Sequence, residues 1–218
     1  EPVRLKAGGA VVRIQAGPNL SIQGPAEAKW GYTVPVVADW DGDGLLDILC
    51  NSIVGKIVWF RNVGTAGRPE LAPEAPVRVA WEGGAPKPAW FWWTPGPEEL
   101  VVEWRTKPIV TDVNHDGLAD LVAVDHEGFL AYYERKRTDS GLTLLPGRRI
   151  FQGADQKDAV ADANGAALLL DLNKDGVNDL VQRGPDGAVL YRHSDRKSDR
   201  DAVRSAATVF SPGQDLPF

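Results

Sequence analysis

Short apolar runs that end at turns rich in Asp and Gly recur along this chain. Three of these runs stand directly before an acidic turn, at residues 34–37, 108–110 and 167–170. Aliphatic and β-branched runs of this length, bounded by Gly, Pro and Asp, are typical of strands. The run before each turn is almost continuously apolar, so we expect it to be an inner strand that is covered on both faces.

The acidic turns are three copies of one nine-residue pattern, D-x-[DN]-x-D-G-x-x-D, at residues 39–47, 112–120 and 171–179. We call them loops 1, 2 and 3 and number their positions from 1 to 9. The similarity continues downstream, because a Gly and then an aromatic residue follow each loop at the same spacing: Gly55 and Trp59, Gly128 and Tyr132, and Gly187 and Tyr191. Self-similarity of this kind indicates a structural repeat.

Each copy of the repeat reads as four short strands. The acidic loop joins the first strand to the second, a Gly-containing hairpin joins the second to the third, and a β-prone run at 77–79, 150–151 or 209–210 supplies the fourth. Four antiparallel strands, repeated radially, form the blade of a β-propeller. We therefore predict an all-β chain of three four-stranded antiparallel blades plus an orphan N-terminal strand, as part of a larger propeller. The alternative is a β-sandwich with coincidental Asp-rich turns.

The repeat also predicts how the chain is divided. Residues 2–5 (Pro-Val-Arg-Leu) echo residues 76–79 (Pro-Val-Arg-Val), which suggests the outermost strand of a preceding blade. Three blades are too few to close a ring, so we expect a fragment of a longer propeller or closure by other chains. The predicted segments are an outer strand and link at 1–29, a blade with loop 1 at 30–80, a Trp/Pro-rich link at 81–107, a blade with loop 2 at 108–153, and a link and blade with loop 3 at 154–218.

Alternating carboxylates on a tight loop indicate a site for a hard cation, and Gly at position 6 permits the sharp turn. Side-chain oxygens at positions 1, 3, 5 and 9 and the backbone carbonyl at position 7 would coordinate Ca²⁺. An EF-hand is excluded, because position 12 is Cys50, Ala123 or Gln182 instead of Glu. We expect about three structural Ca²⁺ ions whose binding is coupled to folding; the alternative is turns without metal. The predicted ligands are Asp39, Asp41, Asp43, Leu45 and Asp47; Asp112, Asn114, Asp116, Leu118 and Asp120; and Asp171, Asn173, Asp175, Val177 and Asp179.

These loops and their flanking strands resemble the FG-GAP/VCBS repeat family, which occurs in integrin α-chain propellers and in secreted bacterial proteins. The resemblance covers about residues 30–215 in three copies, and the loop is its most specific part. It implies that the side chains at positions 1, 3, 5 and 9 ligate calcium. The Phe-Gly and Gly-Ala-Pro signatures of the family are not clear here. This places the chain nearer to the bacterial proteins, some of which resemble polysaccharide lyases or adhesins.

A ligand surface is predicted on the face opposite the calcium loops. The link at 81–107 is rich in Trp and Pro, and flat rings held on a stiff loop can stack on sugars. The candidate ligand-binding residues are Trp90, Trp92, Trp93 and Arg105. His126, in the hairpin of the second blade, is the candidate catalytic acid or base. The alternatives are that the Trp residues pack between blades and that His126 is an ordinary hairpin residue.

Charge and composition narrow the function further. Ten of the 30 acidic residues of this chain lie in the three loops, so its net charge of −6 is local to them. No basic stripe suggests nucleic-acid binding, no apolar run is long enough to span a membrane, and the single Cys50 cannot form an intramolecular disulfide. Weak calcium modules of this kind need about 10⁻⁴–10⁻³ M calcium, which indicates a secreted or cell-surface location, with the periplasm as an alternative.

We therefore expect a secreted, calcium-stabilised β-propeller that binds or processes a polysaccharide. Whether it is an enzyme is left open; an enzymatic activity would be that of a polysaccharide lyase or another glycan-degrading enzyme. The alternative is a non-catalytic extracellular scaffold for adhesion or protein interaction. Its partners would be a glycan, further propeller blades or other protein chains.

Overall fold

Strands make up the regular structure of this chain. The computed structural model describes residues 3–16, 28–88, 93–150, 167–171, 174, 176, 179–183, 189–192 and 208–210. No α-helix is found within these ranges, which confirms the all-β prediction. Correspondingly, the described segments contain no helix long and apolar enough to cross a membrane.

The strands form three four-stranded antiparallel sheets, each of which follows one copy of the repeat. The first sheet contains β3–β6, the second contains β7, β8, β9 and β12, and the third contains β13–β16. Two further hairpins, β1-β2 and β10-β11, stand beside them. In chain order the strands are β1 (Lys6–Ala7), β2 (Ala10–Val11), β3 (Pro35–Ala38), β4 (Asp47–Asn51), β5 (Ile57–Phe60), β6 (Ala75–Pro76), β7 (Ile109–Thr111), β8 (Asp120–Val124), β9 (Leu130–Tyr133), β10 (Arg135–Thr138), β11 (Gly141–Leu144), β12 (Arg148–Arg149), β13 (Ala167–Leu170), β14 (Asp179–Arg183), β15 (Val189–Arg192) and β16 (Thr208–Phe210).

Each loop is enclosed by the same strand register. In all three sheets the residue before the loop, at the end of the first strand, pairs with the Asp at position 9, which begins the second strand. The pairs are Ala38 with Asp47, Thr111 with Asp120, and Leu170 with Asp179. The predicted repeat is therefore a repeat of backbone structure as well as of sequence.

The sheets stack face to face, and alternate side chains of the central strand β8 pack against different neighbouring sheets. Along β8, Leu121 and Ala123 pack in the core shared with the first sheet, whereas Val122 and Val124 pack in the core shared with the third. This follows from the two-residue period of a strand, which sends successive side chains to opposite faces. The second sheet is thus buried on both faces. No closed ring of sheets is seen in the described part of the chain.

The first strand of each sheet is less buried than we predicted. Val37 on β3 and Leu168 on β13 are 58% and 60% exposed, while every residue of β8 is buried. The reason is topological, because β3, β7 and β13 are edge strands of their sheets. Strand β7 lies beside both β3 and β13, so the three edges run next to one another. The apolar runs that precede the loops are therefore edge strands that lie side by side, and they are not the central strands of their sheets.

The N-terminal segment packs against the first sheet as the link after β6 packs against the second. Ala7 forms a parallel bridge with Leu71, and Val79 forms one with Leu144. The residues that follow, Gly8 and Ala80, donate N–H bonds of 2.8 Å to the same two leucine carbonyls. The sequence echo had aligned Leu5 with Val79. The structure instead aligns Ala7, because backbone pairing fixes the register and side-chain similarity does not.

Cys50 is buried in the core between the first sheet and the N-terminal segment. Burial raises the pKa of its thiol to about 11, since the charged thiolate is disfavoured away from water. It is therefore an inert core side chain.

The shared core predicts a large effect of truncating β8. Leu121 is fully buried between the first and second sheets, so Leu121→Ala should lower the free energy of unfolding by about 2–5 kcal/mol, as lost burial and a new cavity add. Urea denaturation would measure this. The matched control is Leu168→Ala, which removes the same atoms from a side chain that is 60% exposed and should cost far less. Equal losses in the two variants would contradict the stacked arrangement.

Candidate metal loops and an aromatic cluster at the opposite end of the sheets

The three loops share one backbone conformation. Position 6 is left-handed in each, with φ of 87°, 86° and 84° at Gly44, Gly117 and Gly176, as the Gly predicted. Position 4 is also left-handed, with φ of 74°, 59° and 61° at Gly42, His115 and Lys174. Gly42 was the only sequence signal for this second turn, since His and Lys seldom adopt the left-handed region.

Backbone N–H groups hold the loop carboxylates in place. At position 1, the Asp accepts a 2.9 Å bond from the Gly N–H of position 6 in all three loops. At position 5, Asp43 and Asp116 each accept a 2.9 Å bond from the leucine N–H of position 7, which is Leu45 or Leu118. These bonds turn the side chains of positions 1 and 5 back over the loop and leave them partly exposed to solvent.

In loop 1 the carboxylates converge. Ligand atoms of Asp39, Asp41 and Asp43 lie within 4.8 Å of one another. Three convergent carboxylates on an exposed loop fit the oxygen donors that a hard divalent cation prefers. Loop 2 has Asn114 at position 3, which bonds Asp116 at 3.0 Å. In loop 3, Asn173, Asp175 and Val177 lie outside the described residues.

The Asp at position 9 is built differently from the other predicted ligands. Asp47, Asp120 and Asp179 are fully buried. In Asp47, Oδ2 accepts from the N–H of Trp40 (3.1 Å) and Oδ1 from the N–H of Asn62 (2.7 Å). Asp120 repeats these contacts, and burial raises the pKa of its carboxyl. Position 9 thus fastens the loop to the end of the third strand, and its direct coordination of a metal stays a prediction.

Arg61 supplies positive charge to loop 1. Its guanidinium forms ion pairs with Asp41 and Asp43, the latter at 3.1 Å. The Leu45 N–H and this arginine lower the pKa of Asp43, while burial raises that of Asp41. Because the Arg61 side chain is 47% exposed, a cation could displace it into solvent at little cost.

Two tryptophans of the link at 81–107 are structural, and one of them, Trp93, is a predicted ligand-binding residue. Trp81 packs against the core between the first and second sheets, and its Nε1 donates to the carbonyl of Glu99 at 3.0 Å. Trp93 packs on the buried Ile53 and donates to the carbonyl of Val54. Trp81 and Trp93 are therefore packing residues, which was the alternative to a role in ligand binding. Trp90, Phe91 and Trp92 lie outside the described residues.

Arg105, in contrast, is half-buried in a cluster whose outer rings are exposed. Its guanidinium lies 3.9 Å from the ring centre of Tyr32 and 4.4 Å from that of Trp104, and Trp30 meets Tyr32 edge-on at 5.9 Å. Trp30 and Tyr32 are 49% and 39% exposed. We call these four residues the aromatic cluster. Tyr32 hydrogen-bonds through its carbonyl to Asn51, which ends β4, so the cluster lies at the end of the sheet away from loop 1.

The backbone of the cluster is strained at two equivalent positions. Tyr32 and Arg105 have φ of 48° and 60°, a region that residues other than glycine rarely occupy. They stand 73 residues apart, the spacing of loops 1 and 2, in the segments Tyr-Thr-Val-Pro and Arg-Thr-Lys-Pro. Strain of this kind concentrates at functional sites. Sequence analysis missed Trp30 and Tyr32, although this spacing could have found Tyr32.

Glu103 is a further titratable group beside the cluster. Burial raises the pKa of its carboxyl to about 7, and the nearby negative charge of Asp125 adds to this. His126, the predicted acid or base, is half-buried next to Asp125, whose carboxylate is held by Arg149 at 2.9 Å. Glu103 is therefore a second candidate proton-transfer group beside His126. The pKa shift of Glu103 arises from burial in the fold, which its local sequence does not predict.

Comparison with known proteins adds no relative. No family model matches the chain, and no curated protein matches it either. The resemblance to FG-GAP/VCBS repeats therefore stays a prediction that depends on the loop pattern.

The raised pKa of Glu103 predicts a pH-dependent stability. The folded state holds this proton more tightly than the unfolded state, so the stabilisation is complete below pH 4.5 and is lost as the pH rises through about 7. Relative to Glu103→Gln, the wild-type melting temperature should fall across this interval. Thermal melts at several pH values would measure it, with the exposed Glu82→Gln as the control. Parallel pH profiles for wild type and Glu103→Gln would contradict the shift.

Proposed function

We propose that this chain is a calcium-stabilised β-propeller module of a secreted protein, and that it binds or processes a polysaccharide through the aromatic cluster. The observation that carries the proposal is the cluster of the exposed Trp30 and Tyr32 with the half-buried Arg105, in which Tyr32 and Arg105 lie on strained backbone. Exposed rings offer flat faces to sugar C–H groups, and a guanidinium offers donors to hydroxyl or carboxylate oxygens.

The arrangement of the sheets supports a propeller. Three antiparallel meanders pack face to face, and their first strands β3, β7 and β13 run side by side as inner strands do around a propeller axis. The Asp-rich loops then share one face of the propeller, and the aromatic cluster lies on the other.

The convergent carboxylates of loop 1 support calcium. The same position-1 contact in all three loops supports a site in each, and exposed all-oxygen sites of this type suit extracellular calcium. The ion would supply the positive charge that allows the carboxylates to lie together and would join loop folding to ion binding.

The cluster also supports an acidic glycan and, if the protein is an enzyme, elimination chemistry. Arg105 would pair with a uronic carboxylate, and Glu103 in its ionised form would remove the proton next to that carboxylate. The glycosidic C–O bond at the adjacent ring carbon would break as the C=C bond forms, and the leaving oxygen would take a proton from water. A pKa of about 7 suits this task near neutral pH. The alternative function is a non-catalytic scaffold, which the exposed apolar side chains of Leu46 and Val63 favour.

Calcium should bind with a stoichiometry of about three and raise the melting temperature. At a concentration 100 times the Kd, each occupied site would add about 2.7 kcal/mol of stability. Calorimetry and thermal melts in calcium, magnesium and chelator would measure both effects. Asp41→Asn should remove one ion, whereas Asp139→Asn, an exposed residue outside the loops, should remove none. A protein that binds no calcium would show that the loops are turns without metal.

Polysaccharide binding should depend on the cluster. Trp30→Ala should weaken binding to polygalacturonate about tenfold, since a lost ring contact of about 1.4 kcal/mol corresponds to a factor of ten. Affinity electrophoresis in polygalacturonate and in neutral galactan would measure this, and ultraviolet absorbance would detect an unsaturated lyase product. Leu46→Ala, at the opposite end of the first sheet, is the control. Equal retardation of both variants would indicate that the binding site lies elsewhere. If neither polymer retards the protein, the non-catalytic scaffold would be favoured.

A further inference from the structure

A cavity of 280 Å³ lies between loop 1 and loop 2, away from the aromatic cluster. Its walls include Asp39 and Trp40 of loop 1, Asp112 and Leu118 of loop 2, and Leu142 of β11, and Arg135 also lines it. The volume is near the lower limit for a ligand pocket, so it suits a single small group.

Arg135 is the unusual feature of this cavity. The residue is only 4% exposed, its guanidinium lies 3.6 Å from the ring centre of Trp40, and its Nε and Nη1 have no hydrogen-bond partner among the described residues. Buried polar groups in proteins are nearly always paired. Although burial lowers its pKa to about 10, the guanidinium is charged at neutral pH.

Comparison of the repeats shows that the backbone contact at this position does not need an arginine. Asn62 is the equivalent residue of the first sheet, because the N–H groups of Asn62 and Arg135 donate to the position-9 Asp at 2.7 Å in each case. The Asn62 side chain is satisfied locally, accepting from Gly64 and Glu70 at 3.1 Å. The Arg135 side chain instead reaches the neighbouring loop and lines the cavity.

We propose that this cavity binds the carboxylate group of a small organic acid, with Arg135 as its hydrogen-bond partner. A guanidinium has donors only, and its planar fork matches a carboxylate. Leu118 and Leu142 provide an apolar wall for the hydrocarbon part of the ligand. Asp39 and Asp112 in the wall would repel an anion, as would the carboxylates of Asp41, Asp47 and Asp120 that lie near Arg135. Binding should therefore be stronger when calcium neutralises the loops; only this dependence rests on the proposed function.

The test is calorimetric titration of the folded chain with D-galacturonate, N-acetylglutamate and D-galactose, in calcium and in chelator. Saturable binding of either acid, without binding of the neutral sugar, is expected. Arg135→Asn introduces the residue of the first sheet, keeps the backbone contact, and should weaken binding at least tenfold. Arg137→Gln removes the same charge from an exposed position of β10 and should leave binding unchanged. The preferred acid identifies whether a sugar or an amino-acid carboxylate is recognised.

Absence of acid binding in both buffers, or equal affinity of wild type and Arg135→Asn, would overturn the proposal. Acid binding that persists in chelator and is lost in Arg135→Asn would support the cavity while removing its dependence on calcium. Melting curves of Arg135→Asn and Arg137→Gln, recorded before titration, would establish that both variants are folded. Calcium stoichiometry, measured separately on the same samples, keeps a failure of the metal loops distinct from a failure of the carboxylate site.

Discussion

The buried carboxylate at position 9 of each loop is the constraint on which the rest of the repeat depends. Asp47 and Asp120 accept backbone N–H groups from position 2 of their own loop and from the residue that leaves the third strand. A buried carboxylate without such donors is costly, so the loop, the second strand and the exit of the third strand are fixed together. This is why the same register encloses all three loops.

A fixed register at one end of the sheet also determines the other end. The loops hold the carboxylates of positions 1 and 5 over a tight turn, while the segments before β3 and β7 bring Tyr32 and Arg105 together in strained conformations. The candidate metal loops and the aromatic cluster are thereby separated by the length of a strand. The sheets between them carry the packed side chains, which leaves each end free to expose polar and aromatic groups.

The sequence predicted much of this arrangement because its signals are local. The loop pattern fixed the position of each sheet, and Gly at position 6 identified one of the two left-handed turns. What it could not predict depends on contacts between distant segments. The exposure of Val37 follows from the edge position of β3, the register of Ala7 from backbone pairing with Leu71, and the titration of Glu103 from burial. The pairing of Tyr32 with Arg105 likewise needs two adjacent sheets.

The equivalence of Asn62 and Arg135 has a consequence for how such a chain diversifies. Their main-chain bond to the position-9 Asp is the same, so this bond does not depend on which side chain stands at the site. Duplication of the unit would copy the backbone contacts and would add one more position, equivalent to Asn62 and Arg135, at which the side chain can vary. Specificity can then evolve unit by unit, with each copy acquiring its own chemistry while the ancestral architecture is inherited intact.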